Sequence, residues 1–191
     1  MAGVFINYRT GDGDQLAAAV DEALRAKLGD DMVFRDHRTI RKGADYRVEL
    51  QQNLERCSVL LVLIGSNWLT LTDSSGHRRI DAPDDWVRRE IASMLTWRRR
   101  VIPILLNDAR LPGPNELPHE IAELPNHQAM YLRTKHVHQD LPLIVSEVRE
   151  EVPAAGGHDE EHGRAEGIVL KKPKRNAITF GSGNATYNEG R

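Results

Sequence analysis

The sequence has few of the features that would place it outside the cytosol. Cys57 is the single cysteine among 191 residues, so the chain cannot form an internal disulfide, which fits a reducing compartment. The longest apolar run, VLLVLIG at 59–65, is far shorter than the roughly 20 residues that a membrane-spanning helix needs. The amino terminus leads straight into a predicted strand and lacks a signal-peptide pattern. We therefore expect a cytoplasmic protein without a membrane segment.

The sequence also lacks an excess of charge of either sign. The chain has 26 basic and 28 acidic residues, and its formal net charge is −2. No global field marks it as a binder of nucleic acid or of anionic membranes. Its length allows one domain with a real core, plus an appendage.

Apolar runs alternate with amphipathic helical stretches along most of the chain. Strands are predicted at 3–9, 32–36, 58–65, 100–107 and 128–133. Helices are predicted at 14–29, 47–57, 84–98, 119–124 (a short one) and 139–152. The continuous apolar run at 58–65 is typical of a central parallel strand covered on both faces. The order predicts a doubly wound α/β domain with a five-stranded parallel sheet, in which the third and fourth strands are central.

The composition changes after residue 152. The segment 153–191 is polar, rich in glycine and poor in large apolar residues, which is typical of a flexible linker and tail. It contains HDEEH at 158–162, which fits a zinc-peptidase pattern. No apolar helix is predicted there to orient such ligands, so we expect no metal site. The predicted organisation is a domain at 1–152 and a tail at 153–191.

Glu90 stands out within the helix predicted at 84–98. No cationic residue lies three or four positions from it, so no local ion pair explains it. It shares a flank of the helix with Trp86, Ser93 and Trp97, beside the predicted buried face. In open α/β sheets, ligands bind at the carboxyl ends of the strands, where this helix should begin. Glu90 is therefore either a carboxylate at the rim of a cleft, a solvated surface residue, or the partner of an arginine from elsewhere.

Three segments in the expected order resemble the Toll/interleukin-1 receptor (TIR) domain family. VFINYRTGD (4–12) resembles the first conserved box of that family, with Asn7 where serine is usual. The segment 33–69 resembles the region from the second strand to the third, including the family's BB loop. DDWVRREI (84–91) supplies the Trp-x-x-x-Glu signature of TIR domains that cleave NAD. The resemblance implies a flavodoxin-like sheet of order 2-1-3-4-5, and it covers about residues 3–150.

The resemblance also implies a reaction and its residues. The implied activity is an NAD⁺ glycohydrolase with Glu90 as the catalytic carboxylate, NAD⁺ as substrate, and neither cofactor nor metal. The substrate-binding candidates are Tyr8, Arg9, Asp36, Ile40, Arg41, Gly43 and Trp86. A cationic nicotinamide ring would be attracted to an aromatic face, and an arginine fork suits a pyrophosphate. Three of them have a structural alternative: Tyr8 would pack under the first helix, Trp86 at the core edge, and Arg9 against Asp36.

Two other functions stay open at this point. One is a non-catalytic TIR adaptor that binds other TIR domains through its BB loop and helical surfaces. The other is a nucleoside deoxyribosyltransferase-like enzyme of similar sheet order. A phosphorylated response regulator is excluded because the third strand ends in Gly65 and Ser66 instead of an aspartate. For the enzyme we expect self-association, an immune or effector setting, and either linear ADP-ribose or a cyclic isomer as product.

Overall fold

The computed structural model describes residues 3–35 and 46–152. The strands are β1 (Gly3–Asn7), β2 (Val33–Arg35), β3 (Cys57–Ile64), β4 (Arg100–Leu106) and β5 (Met130–Leu132). The α-helices are α1 (Asp14–Leu28), α2 (Tyr46–Arg56), α3 (Trp86–Thr96) and α4 (Val137–Glu151). Short 3-10 helices lie at Asp30–Met32, Arg79–Asp81, Pro114–Glu116, His119–Ile121, Leu124–Asn126 and Thr134–His136. Among the described helices, none combines the length and the apolar character needed to cross a membrane.

The five strands form one sheet in the order β2-β1-β3-β4-β5, and all four strand pairs are parallel. β3 lies at the centre, paired with β1 on one side and β4 on the other. Seven of its eight residues are buried, as expected of a strand that helices cover on both faces. The predicted α/β fold, its sheet order and its central strands are confirmed.

Side chains of β1 alternate between two separate cores. Val4 and Ile6 enter the core that contains α1 and α4 residues, whereas Phe5 enters the core that contains α2 and α3 residues. This alternation follows from the two-residue period of a strand. Because of this alternation, the side chain of Asn7 lies on the same face of the sheet as that of Phe5. The end of β1 therefore presents Asn7 to α3.

The short helix predicted at 119–124 is present as two 3-10 helices, His119–Ile121 and Leu124–Asn126. Proline residues at 118 and 125 lack the N–H that a continuous α-helix requires in its interior and restrict the residue before them. Ile121 and Leu124 are nonetheless fully buried in the α2–α3 core. The prolines that flank this segment limit how far a helix can extend there.

Two glycines in the loop between β1 and α1 adopt left-handed backbone conformations, Gly11 with φ 88° and Gly13 with φ 102°. Gly13 is the N-cap of α1. A Cβ atom at Gly13 would overlap Leu106 Cδ1, whereas a Cβ at Gly11 would meet no atom within 4 Å. Glycine is therefore favoured at position 13 for two reasons: the left-handed backbone conformation, and the close approach of this loop to the end of β4.

Replacing Gly13 by alanine should therefore destabilise the protein more than the same change at Gly11. The left-handed conformation costs about 1–2 kcal/mol in either variant, and overlap with Leu106 adds about 1–3 kcal/mol at Gly13 alone. Chemical denaturation of G11A and G13A measures both free energies of unfolding. Equal losses in the two variants would contradict the tight contact with Leu106.

Candidate active site

Glu90 is the fifth residue of α3 and is only 6% exposed. The alternative of a solvated surface glutamate is therefore excluded. The first turn of α3 is capped by Asp85, whose side chain accepts a hydrogen bond from the Arg88 amide. Glu90 lies beyond that first turn, where the helix dipole has little effect. Its burial calls for specific hydrogen-bond donors.

One such donor is the carboxamide of Asn7, at the end of β1. Asn7 Nδ2 lies 2.7 Å from Glu90 Oε2 and 3.2 Å from the Val87 carbonyl oxygen. Because both neighbours accept hydrogen bonds, the amide must present its NH2 group to them. Asn7 is itself 1% exposed. The bond is buried and links the sheet edge directly to the carboxylate.

Asn7 was not among the predicted site residues. By sequence it stands at the end of the first strand, where the family usually has serine. The available signal was the strand period, since Phe5 and Asn7 share a face of the sheet. A polar side chain at the buried end of a strand needs a partner, and here that partner is the predicted catalytic residue.

Trp86, Glu90 and Ser93 line a small cavity, together with α2 residues Leu50 and Leu54. The predicted flank of α3 therefore does border a cavity, but the opposite wall is α2. The volume is about 40 Å³, enough for one or two water molecules and far below the size of a ribose. A substrate would need this cavity to widen.

Trp86 is half-buried and packs at the edge of the α2–α3 core. The guanidinium of Arg89 lies 4.7 Å from the centroid of its ring. The ring thus already attracts a cation, which is the property expected of a face that receives nicotinamide. Trp68 is fully buried.

Arg9 is placed differently from the prediction. Its guanidinium is buried and forms a bidentate ion pair with Asp85, with both nitrogen–oxygen distances 2.9 Å. Its Nε donates to the carbonyl oxygen of Trp68 at 3.1 Å. These contacts occupy the fork that a pyrophosphate would need. The geometry favours a structural role for Arg9, through Asp85 instead of Asp36.

Tyr8 follows Asn7 and packs against the core on the α1–α4 side of the sheet. The Arg35 guanidinium lies 5.8 Å from its ring centroid. Tyr8 is thus directed to the face opposite the one that holds Glu90, as its structural alternative required. The structure brings Trp86 and Glu90 together and leaves Tyr8 and Arg9 outside their cavity.

The remaining candidates, Asp36, Ile40, Arg41 and Gly43, lie outside the described residues. Within 3–35 and 46–152, no group of three or more His, Cys, Asp or Glu side chains is arranged to hold a metal ion.

Comparison with known proteins identifies the family. The family model described as "TIR domain" matches residues 4–140. The TIR domains of the activated Roq1 resistosome, solved while directly recognizing the pathogen effector XopQ, superimpose with a TM-score of 0.55 at 11% sequence identity. That alignment covers 78% of this chain and 98% of the Roq1 chain, and at this identity it supports the fold alone. No curated protein matches the chain in sequence.

The hydrogen bond between Asn7 and Glu90 can be measured by a double-mutant cycle. We expect N7A to lower the free energy of unfolding by about 2 kcal/mol, because it removes a buried donor to a carboxylate. In an E90A background the same change should have a much smaller effect. Urea denaturation of the four proteins gives the coupling energy. Additivity within about 0.5 kcal/mol would mean that the two side chains do not interact.

Proposed function

The chain belongs to the TIR domain family, and we propose that it is an NAD⁺ glycohydrolase in which Glu90 is the catalytic carboxylate. One observation carries the proposal. Glu90 of the Trp-x-x-x-Glu signature is buried at the carboxyl edge of the sheet, with its carboxylate held by Asn7. A purely structural glutamate on the surface of α3 would not need that arrangement. TIR domains include both NAD-cleaving enzymes and non-catalytic modules, so the site decides between them.

The chemistry needs only one carboxylate. Ordinary glycosidases use a second carboxyl group to protonate the leaving group. In NAD⁺ the bond from ribose C1′ to the pyridinium nitrogen breaks with both electrons going to nitrogen, so nicotinamide leaves neutral and unprotonated. Water adds to C1′ and releases one proton, giving ADP-ribose. Attack by an atom of the adenine ring would give a cyclic isomer instead.

In this mechanism Glu90 stabilises the positive charge that develops on the ribose in the transition state. A carboxylate that is already oriented, in a site shielded from water, does this without reorganisation. The Trp86 ring, one turn before Glu90, provides an aromatic face for the nicotinamide ring. Since Arg89 now lies over that face, the nicotinamide would displace it.

The small volume of the cavity supports activity that depends on assembly. At about 40 Å³ the space between α2 and α3 is smaller than a ribose, so we propose a second state in which the two helices lie farther apart. Contacts with another copy of the chain would supply the energy for that change. Ile40, Arg41, Lys42 and Gly43 are proposed to close over the nucleotide, and Asp36 is proposed to contact the substrate. The proposed setting is cytoplasmic immune or effector signalling, with 153–191 as a tail separate from the TIR domain.

The enzyme assay is the release of nicotinamide from NAD⁺, followed at dilute and at high protein concentration. We expect E90Q to lower kcat by at least about 100-fold, because it removes the charge that stabilises the transition state and keeps the shape of the side chain. The matched control is E22Q, on the exposed surface of α1. Full activity of E90Q would exclude Glu90 as the catalytic residue.

A second candidate function, the non-catalytic TIR adaptor, is favoured by a groove between α1 and α4. This α1–α4 groove has a volume of about 640 Å³ and is lined on the α1 side by Ala23 and Ala26, and on the α4 side by Leu141 and Val145. Apolar side chains on both walls, with Lys27 and Arg149 also lining the groove, could receive an apolar segment that carries acidic residues. The occupant we propose is a second copy of the chain, as TIR domains occur together in the Roq1 resistosome.

A charge in the groove should prevent that contact. We expect A26R to lower the average mass at micromolar concentration, because the long side chain would fill the groove and add a third positive charge beside Lys27 and Arg149. Q52R, on the exposed side of α2, is the control. Sedimentation analysis measures the mass, and nicotinamide release measures the consequence. If A26R associates as the unchanged protein does, the α1–α4 groove is not the interface.

A further inference from the structure

Arg9 is held by three contacts that reach two other parts of the chain. Nη1 and Nη2 bind the two carboxylate oxygens of Asp85, and Nε binds the carbonyl oxygen of Trp68. The guanidinium also lies 5.5 Å from the centroid of the Trp68 ring. Arg9 therefore ties the segment after β1 to the segment after β3 and to the start of α3. With 1% of its surface exposed, it contributes nothing to binding at the surface.

The Asp85 carboxylate accepts hydrogen bonds both from Arg9 and from the first turn of α3. Its Oδ1 accepts from Arg9 Nη2 and from the backbone amide of Arg88, each at 2.9 Å. The second bond caps α3. A serine or asparagine would cap the helix as well as an aspartate does. The negative charge at this position is therefore explained by Arg9 and not by the helix.

The end of β1 consequently holds the beginning of α3 at two points. Arg9 binds the N-cap residue Asp85, and Asn7 binds the Val87 carbonyl and Glu90. The distance along α3 from Asp85 to Glu90 is less than two turns, so a shift of the N-cap is transmitted directly to the carboxylate. Bidentate pairing of a planar guanidinium allows one geometry only.

From these contacts we infer that Arg9 and Asp85 are positioning residues, whose buried ion pair sets the place of the α3 first turn and thereby aims the Glu90 carboxylate at the ribose. This inference rests on the proposed function. It assigns Arg9 to the alignment of the catalytic residue and removes it from the residues that would contact substrate.

The experiment replaces the pair together, because a single substitution would leave a buried charge without a partner. The variant R9M/D85S fills the space of Arg9 with an uncharged side chain and keeps a hydroxyl to cap α3. The control is R133M/D140S. Arg133 and Asp140 form a second bidentate pair, which joins the segment after β5 to α4 and does not touch α3. Folding of both variants is verified by thermal unfolding, and oligomeric state by sedimentation.

We expect R9M/D85S to lower kcat for nicotinamide release by about 10- to 100-fold with KM within threefold, since a misplacement of about 1 Å has effects of this size. The control should keep kcat within twofold. R9K, which retains the charge but not the fork, should also lower kcat. A rise in KM above tenfold with kcat unchanged would assign Arg9 to substrate binding and overturn the inference. Unchanged kinetics would overturn it too.

These outcomes are distinct from failure of the proposed function. If the unaltered protein releases no nicotinamide, or if E90Q remains active, then the glycohydrolase proposal fails. The positioning role is then read from a crystal structure of R9M/D85S. Separation of Asn7 Nδ2 and Glu90 Oε2 beyond about 3.5 Å would support it, and an unmoved Glu90 would contradict it.

Discussion

The hydrogen bond from Asn7 Nδ2 to Glu90 Oε2 joins the end of the central sheet to the candidate catalytic carboxylate. A carboxylate removed from water is unfavourable unless it is paired or hydrogen-bonded. At Glu90 this requirement is met from the neighbouring strand, so the position of the carboxylate depends on how α3 packs against β1. The Arg9–Asp85 ion pair forms a second link between the residues after β1 and the start of α3. The fold and the site are therefore held by the same few side chains.

The packing that buries Glu90 also leaves little space beside its carboxylate. Leu50 and Leu54 of α2 and Trp86 of α3 leave only a small cavity beside the carboxylate. In the proposed enzyme, NAD⁺ would enter only after this cavity widened, and we propose that assembly of several copies widens it. The α1–α4 groove lies on the opposite face of the sheet. Association there would influence the cavity through the sheet, since β1 contacts helices on both of its faces.

Much of the fold was predictable from the sequence because period and burial agree along the chain. The apolar run of β3 predicted a central strand. The spacing of Val87, Ile91, Met94 and Leu95 predicted the buried face of α3, and of these only Leu95 is partly exposed. The site was only partly predictable. Glu90 and Trp86 share one helix flank, which a helical repeat reveals. Their position beside α2 depends on tertiary packing, and a helical repeat in the sequence does not reveal tertiary packing.

Arg9 shows why such predictions fail at sheet edges. A cation at the carboxyl end of a strand fits an anionic ligand and a buried ion pair equally well by sequence, and the partner, Asp85, lies 76 residues away. Asn7 was missed for the complementary reason, since its importance comes from one contact 83 residues along the chain. Tyr8 was assigned by its place at a strand end, and the strand period directs it to the other face.

The most direct measurement of the central claim is a crystal structure of the assembled protein with a non-hydrolysable carba-analogue of NAD⁺. We expect the nicotinamide ribose between Trp86 and Glu90, with a carboxylate oxygen of Glu90 within hydrogen-bond distance of a ribose hydroxyl. An analogue bound elsewhere, with the cavity beside Glu90 still closed, would contradict the claim that this carboxylate cleaves NAD⁺.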